Sequence, residues 1–133
     1  MKITTMIDIV LFELGLFLGA FLGEVDGLLV ALICFSIVDY ITGVIDAIMS
    51  HELSSNVGFK GIARKVLLFT IVGIAHIMDV YVIGSQAVCR TAVIIFYIAN
   101  EGLSIVENVA SCGVPIPNKI KIILEQLKEE DKK

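Results

Sequence analysis

Four mostly apolar stretches, each close to 20 residues long, follow one another with almost nothing between them: residues 6–23, 27–49, 66–84 and 88–106. A helix needs about 20 such residues to cross the hydrocarbon core of a bilayer. A chain of 133 residues that spends most of its length this way has few folds open to it. Charged residues make up 18% of the chain, against about 25% in soluble domains, and mean hydropathy is +0.94. A small water-soluble domain has too much surface to cover with so few polar residues. High hydropathy with a net charge of only -4 excludes disorder. With 11 Gly, 3 Cys and 2 His, the collagen, disulfide-scaffold and zinc-finger classes fail as well. The expected fold is an all-α integral membrane bundle of four transmembrane helices and a short C-terminal amphipathic helix.

The first segment is interrupted by Asp8 and Glu13, the second by Asp39 and Asp46, and the third by His76 and Asp79. The fourth carries Arg90, Asn100 and Glu101, and either spans or lies in the interface. The linker Glu24-Val25-Asp26 is short enough to make the first two helices antiparallel neighbours. Residues 50–65 read as the one substantial loop, and Ser85-Gln86-Ala87 joins the third and fourth segments. Gly113, Pro115 and Pro117 stop the fourth. Ile120, Ile123, Leu124 and Leu127 then recur at helical spacing, a stripe suited to lying on the inner leaflet or to a frayed tail. The chain divides into a transmembrane domain, 1–116, and a charged cytoplasmic tail, 117–133, which holds nine of the 24 charged residues. The N-terminal run does not read as a cleaved signal peptide, because Glu13 breaks it and no A-x-A-like site follows.

Basic residues accumulate in cytoplasmic connections. With four spans and a cytoplasmic N-terminus, Lys2, Lys60, Arg64, Lys65, Lys119, Lys121, Lys128, Lys132 and Lys133 fall inside and only Arg90 outside. Both termini are therefore expected in the cytoplasm.

Catalysis finds no support. Cys34, Cys89 and Cys112 have no metal-site spacing, His51 and His76 are far apart, and Gly58-Phe59-Lys60-Gly61 is not a phosphate loop. No metal, cofactor or catalytic residue is expected, and no basic patch with interleaved aromatics suggests nucleic acid. The ionisable residues inside the spans say more, since each costs about 2.5–3.5 kcal/mol at mid-bilayer on insertion scales. Glu13, Asp39 and His76 lie near the centres of their segments. Asp79 and Arg90 share an outer depth and are placed to pair, and Asp46 and Glu101 lie toward the inner half. Asp39, Gly43 and Asp46 share one helix face; Arg90, Ile94, Tyr97, Glu101, Ser104 and Asn108 share another. Such faces turn toward each other or toward water, not toward lipid. Gly15, Gly19 and Gly23 recur every fourth residue, a stripe for close helix packing onto the second segment or between copies.

Two stretches carry a resemblance. One is Asp39-Tyr-Ile-Thr-Gly-Val-Ile-Asp46, followed by Leu53-Ser-Ser-Asn-Val-Gly-Phe-Lys-Gly-Ile-Ala-Arg-Lys65. The other is Arg90-Thr-Ala-Val, then Ile98-Ala-Asn-Glu-Gly-Leu-Ser-Ile-Val-Glu-Asn108 and Gly-Val-Pro-Ile-Pro117. Over about residues 28–128 the chain resembles the toxin-secretion/phage-lysis holin family. The resemblance implies a bacterial inner-membrane protein that meets lipid, forms homo-oligomers and opens lesions through which an endolysin or a toxin leaves. It implies no catalytic residue and no cofactor. Two other readings remain open from the residues. One is a small proton-linked transporter or ion channel with a relay of Glu13, Asp39, His76 and Asp79. The other is a regulatory, antiholin-like membrane protein.

Overall fold

The computed structural model describes residues 2–84 and 86–130, the last by its backbone alone. Ser85 of the third connection and Lys132 and Lys133 of the basic count lie outside the described residues. Five helices follow: α1 (Ile3–Leu22), α2 (Gly27–Met49), α3 (Ser55–Ile77), α4 (Val88–Ser111) and α5 (Asn118–Glu130). The last turns of α3 widen into π-helix over Met78–Ile83. Four helices are long and apolar enough to cross a membrane, with the third counted as the 29 residues Ser55–Ile83.

Local chemistry sets most boundaries. The Asp26 carboxylate accepts from Leu29 N–H at 2.9 Å and Ser54 Oγ accepts from Val57 N–H at 3.2 Å, so α2 and α3 begin on side-chain caps. α1 ends at Gly23, whose φ of +88° suits glycine. The expected loop over 50–65 contracts to five residues, because the Ser54 cap starts α3 early. Gly58 and Gly61 then let α3 close on Tyr40: a Cβ at Gly61 would lie 3.1 Å from the Tyr40 ring, and Tyr40 O–H donates to the Gly58 carbonyl at 3.4 Å. A helix of 29 residues is about 43 Å long against a hydrocarbon core of about 30 Å. The helix exceeds the core by about 13 Å, and Lys60 and Arg64 near its start are exposed.

α4 is the hub, packing on α2, α3 and α5, and is long and apolar enough to cross a membrane. The core is Leu29 and Leu32 from α2, Leu68 and Val72 from α3, and Ile94 from α4. α1 does not adjoin α2, contrary to what the short linker suggests; it packs on α3 instead. The Phe21 ring lies over Gly73, where a Cβ would meet it at 2.1 Å. Burial in α1 begins only at its C-terminal end, and residues 3–18 are exposed on every face. The tail helix neither frays nor stands apart. α5 turns back along α4 and sets Leu124 against Gly102, where a Cβ would lie 2.7 Å from it, while Ile120 and Ile123 of its stripe remain exposed.

Candidate functional site

The polar stripe of α2 faces the polar stripe of α4. Asn108 Nδ2 donates to Asp39 Oδ1 at 3.2 Å, to the Asp39 carbonyl at 3.3 Å and to Thr42 Oγ1 at 3.0 Å. A Cβ at Gly43 would sit 3.6 Å from the same amide. One helical stretch on, Cys112 Sγ donates weakly to Asp46 Oδ1 at 3.9 Å. Into this seam α3 inserts Lys65, whose ammonium bridges the carboxylates of Asp39 and Glu101. The Lys65, Asp39 and Glu101 side chains are only 19%, 12% and 7% exposed, so this is a triad of ionisable groups held inside the bundle. Ions so placed are tolerable only when paired and hydrogen-bonded. Two clefts border the triad. One, of about 370 Å³, is walled by Asp39, Tyr40, Arg64, Ser104 and Asn108. The other, of about 340 Å³, is walled by Asp39, Arg64, Tyr97, Glu101 and Ser104.

A second polar cluster closes the opposite end of the bundle. α4 starts with no side-chain cap of its own. The buried Asp79 carboxylate, from the π-turn of the preceding helix, accepts instead from Cys89 N–H at 2.9 Å and Arg90 N–H at 2.8 Å. A carboxylate at a helix N-terminus also meets the positive end of the helix dipole. The expected side-chain pair of Asp79 with Arg90 is therefore replaced. The guanidinium is free to donate to the Leu22 carbonyl at 2.7 Å, the Glu24 carbonyl at 2.6 Å and the Asp26 carboxylate at 2.8 Å. One side chain thus ties the end of α1 and the start of α2 to α4. Arg90 holds the Asp26 carboxyl below its ordinary range, and the Leu29 N–H adds to that effect. Gly23 is enclosed between His76 and Arg90, where a Cβ would lie 2.8 Å from Nδ1 and 2.9 Å from Nε.

The structure brings together Asp39, Gly43, Asp46 and Glu101 along one seam, and Gly23, His76, Asp79 and Arg90 at the other end. It leaves Glu13, Gly15 and Gly19 outside both. A Cβ at Gly15 or Gly19 would meet nothing within 4 Å, so the glycine stripe does not pack onto α2. The proton relay does not converge either. Glu13 is exposed, Asp39 is held by Lys65 and Asn108, and Asp79 is bound to the start of α4. Sequence reasoning missed Lys65 and Asp26 as site residues. The available signal was two carboxylates, Asp39 and Glu101, without a cation at their depth. Among the described residues, no group of three His, Cys, Asp or Glu side chains is placed to hold a metal.

The bacteriophage holin family model matches residues 16–129 of the chain. The chain belongs to the bacteriophage holin family. It is 45% identical over 95 residues to a probable holin of Bacillus phage phi105, covering 71% of this chain and 69% of that protein. It is 43% identical over 110 residues to an uncharacterized protein of Listeria monocytogenes, covering 83% and 78%. A 14.9 kDa protein of the nagH 3' region in Clostridium perfringens shares 42% over 115 residues, covering 86% and 87%. No solved structure matches the chain. The holin-family match takes in both polar clusters and begins after Glu13 and Gly15, within the exposed part of α1.

Proposed function

We propose that this holin-family protein assembles in the bacterial cytoplasmic membrane and opens lesions that release an endolysin or a toxin. The observation that carries the reading is the Asp39–Lys65–Glu101 triad, built into the seam of three spanning helices and bordered by two clefts. In a dispersed protomer the three charges satisfy one another. In an assembly the same face has the chemistry to line water once the helices part. The bundle is then stable in both settings, as a lesion former must be. α1 supports the second half of the reading, because it presents Gly15, Gly19 and an ionisable Glu13 where no other helix of the protomer packs. Helices associate in lipid by close packing, since lipid offers no hydrophobic drive between them.

The test is induced expression in bacteria with and without a cytoplasmic endolysin. Abrupt growth arrest in both, with lysis only when the endolysin is present, is the expected result. Growth unaffected by the protein, together with delayed lysis by a known holin, would make it the regulatory, antiholin-like protein instead.

The proposed orientation has both termini in the cytoplasm, on the nine-to-one distribution of basic residues. A reporter active only in the periplasm is expected to be silent after Lys133 and active at Ser85. Activity at the C-terminus would reverse the assignment of α4.

A further inference from the structure

The two clefts beside the triad share Asp39, Arg64, Lys65 and Ser104, so they join into one furrow between α3 and α4. Toward the start of α3 the furrow is polar, with Lys60, Arg64 and Ser104 in its walls. Further along it is bordered by Leu67 and Ile71, both exposed. Lys60, Arg64, Leu67 and Ile71 follow one another at steps of four, three and four residues. One face of α3 therefore carries two cations and then two apolar side chains. The Asp39 and Glu101 carboxylates are engaged by Lys65. Lys60 and Arg64, by contrast, have no ion-pair partner among the described residues. The polar end of the furrow thus offers an anion two unpaired cations, one of them a guanidinium whose planar fork suits phosphate oxygens, with the Ser104 hydroxyl beside them.

Depth decides which anion. Arg64 lies 15 residues before Asp79 of the outer cluster and Lys60 lies 19 before it, about 22 and 28 Å along the helix at 1.5 Å per residue. The hydrocarbon core is about 30 Å thick. The two cations therefore stand where one leaflet turns from acyl chain to phosphate, and Leu67 and Ile71 stand among the acyl chains. Basic pockets between spanning helices at the cytoplasmic face recognise anionic headgroups. We propose that the α3–α4 furrow binds an anionic phospholipid, with its phosphate on Lys60 and Arg64 and an acyl chain along Leu67 and Ile71. In the orientation proposed above the lipid belongs to the inner leaflet. Its binding requires nothing of lesion formation.

The experiment uses the full chain in vesicles that mix phosphatidylglycerol with phosphatidylcholine, one of the two brominated on its acyl chains at a time. The chain has no Trp, so Ile71→Trp places a single fluorescent reporter beside the acyl end of the furrow, and Leu67→Trp places a second on the same face. Val38→Trp, exposed on α2 and outside both clefts, reports ordinary lipid contact. Brominated phosphatidylglycerol is expected to quench the two furrow reporters several-fold beyond its share of the lipid, and the Val38→Trp reporter only in proportion to that share. Lys60→Gln with Arg64→Gln should abolish the excess; both residues are exposed, so the core is left intact. Lys119→Gln with Lys121→Gln removes the same charge from the exposed surface of α5 and should leave the excess in place. Inorganic phosphate, at the ionic strength of a chloride control, should not reduce it. Proportional quenching at every reporter overturns the proposal, as does an excess that survives the loss of Lys60 and Arg64. An excess lost equally with the α5 lysines would be general surface charge, and one displaced by inorganic phosphate alone would mean a soluble anion; either result also overturns it. The endolysin assay reads lesion formation separately from all of these.

Discussion

Lys65→Met is expected to destabilise the bundle by about 3–5 kcal/mol, the usual cost of removing one partner from a buried ion pair. The substitution leaves Asp39 and Glu101 facing each other across the seam without their shared cation. Asn108 satisfies only one oxygen of the Asp39 carboxylate. The variant should accumulate poorly and unfold at lower temperature in detergent. The charge-free variant Asp39→Asn, Lys65→Met, Glu101→Gln removes the whole triad and should recover most of that loss, because neutral amides demand far less of their surroundings. If the triad serves lesion formation, this recovered protein accumulates in the membrane and fails to arrest growth. If Lys65→Met melts like the wild type, the ammonium does not hold the seam, and the pairing has no energetic weight.

Much of this site was legible as helical spacing. Asp39, Gly43 and Asp46 on one helix and Arg90 through Asn108 on another form two stripes, and α2 and α4 bring those stripes face to face. Lys65 was not legible for a definite reason. It follows Lys60 and Arg64, and all three read alike as cytoplasmic loop charges. What separates Lys65 from them is the early start of α3 at Ser54 and its approach to Tyr40 over Gly58 and Gly61, which turn one cation inward and leave two outside. The Asp79–Arg90 pair failed by competition. An uncapped α4 offers free N–H groups at the start of the helix, and these take the carboxylate that charge matching assigns to the guanidinium. A three-residue linker likewise settles only that α1 ends near the start of α2. Gly23 turns the chain, and Phe21 on Gly73 then chooses α3 as the neighbour.

Arg90→Leu is expected to release α1 from the bundle while leaving the other helices packed. The guanidinium supplies three hydrogen bonds, two to backbone carbonyls at the end of α1 and one to the Asp26 carboxylate that caps α2. The Leu22 carbonyl ends the helix with no partner inside it, so without Arg90 it must find water or remain unsatisfied, while the Glu24 carbonyl keeps only its bond from Asp26 N–H at 2.9 Å. The loss is expected to be about 1–3 kcal/mol, less than for a fully buried pair, because the Asp26 side chain is 37% exposed and water takes over part of what Arg90 supplied. Because α1 is attached mainly through its last turn, the damage should be local. Leu29, Leu32, Leu68, Val72 and Ile94 keep their contacts, while protease cleavage between α1 and α2 should rise sharply in detergent. Arg90→Lys should rescue little, since one ammonium on a flexible stem does not reproduce the planar fork that reaches all three acceptors. Gly23→Ala should reproduce the defect from the other side, by placing a Cβ against His76 and Arg90 on a backbone with φ of +88°. Acid separates this account from a simple packing defect. Asp26 has a lowered folded pKa, so the stability it contributes is complete above the ordinary carboxylate range and disappears as pH falls through the lowered value. The wild type should therefore lose the protection of the α1–α2 link on acidification, and Arg90→Leu, already without the pair, should show little further change. Equal cleavage of the two proteins at neutral pH would mean that α1 is held by Phe21 on Gly73 alone.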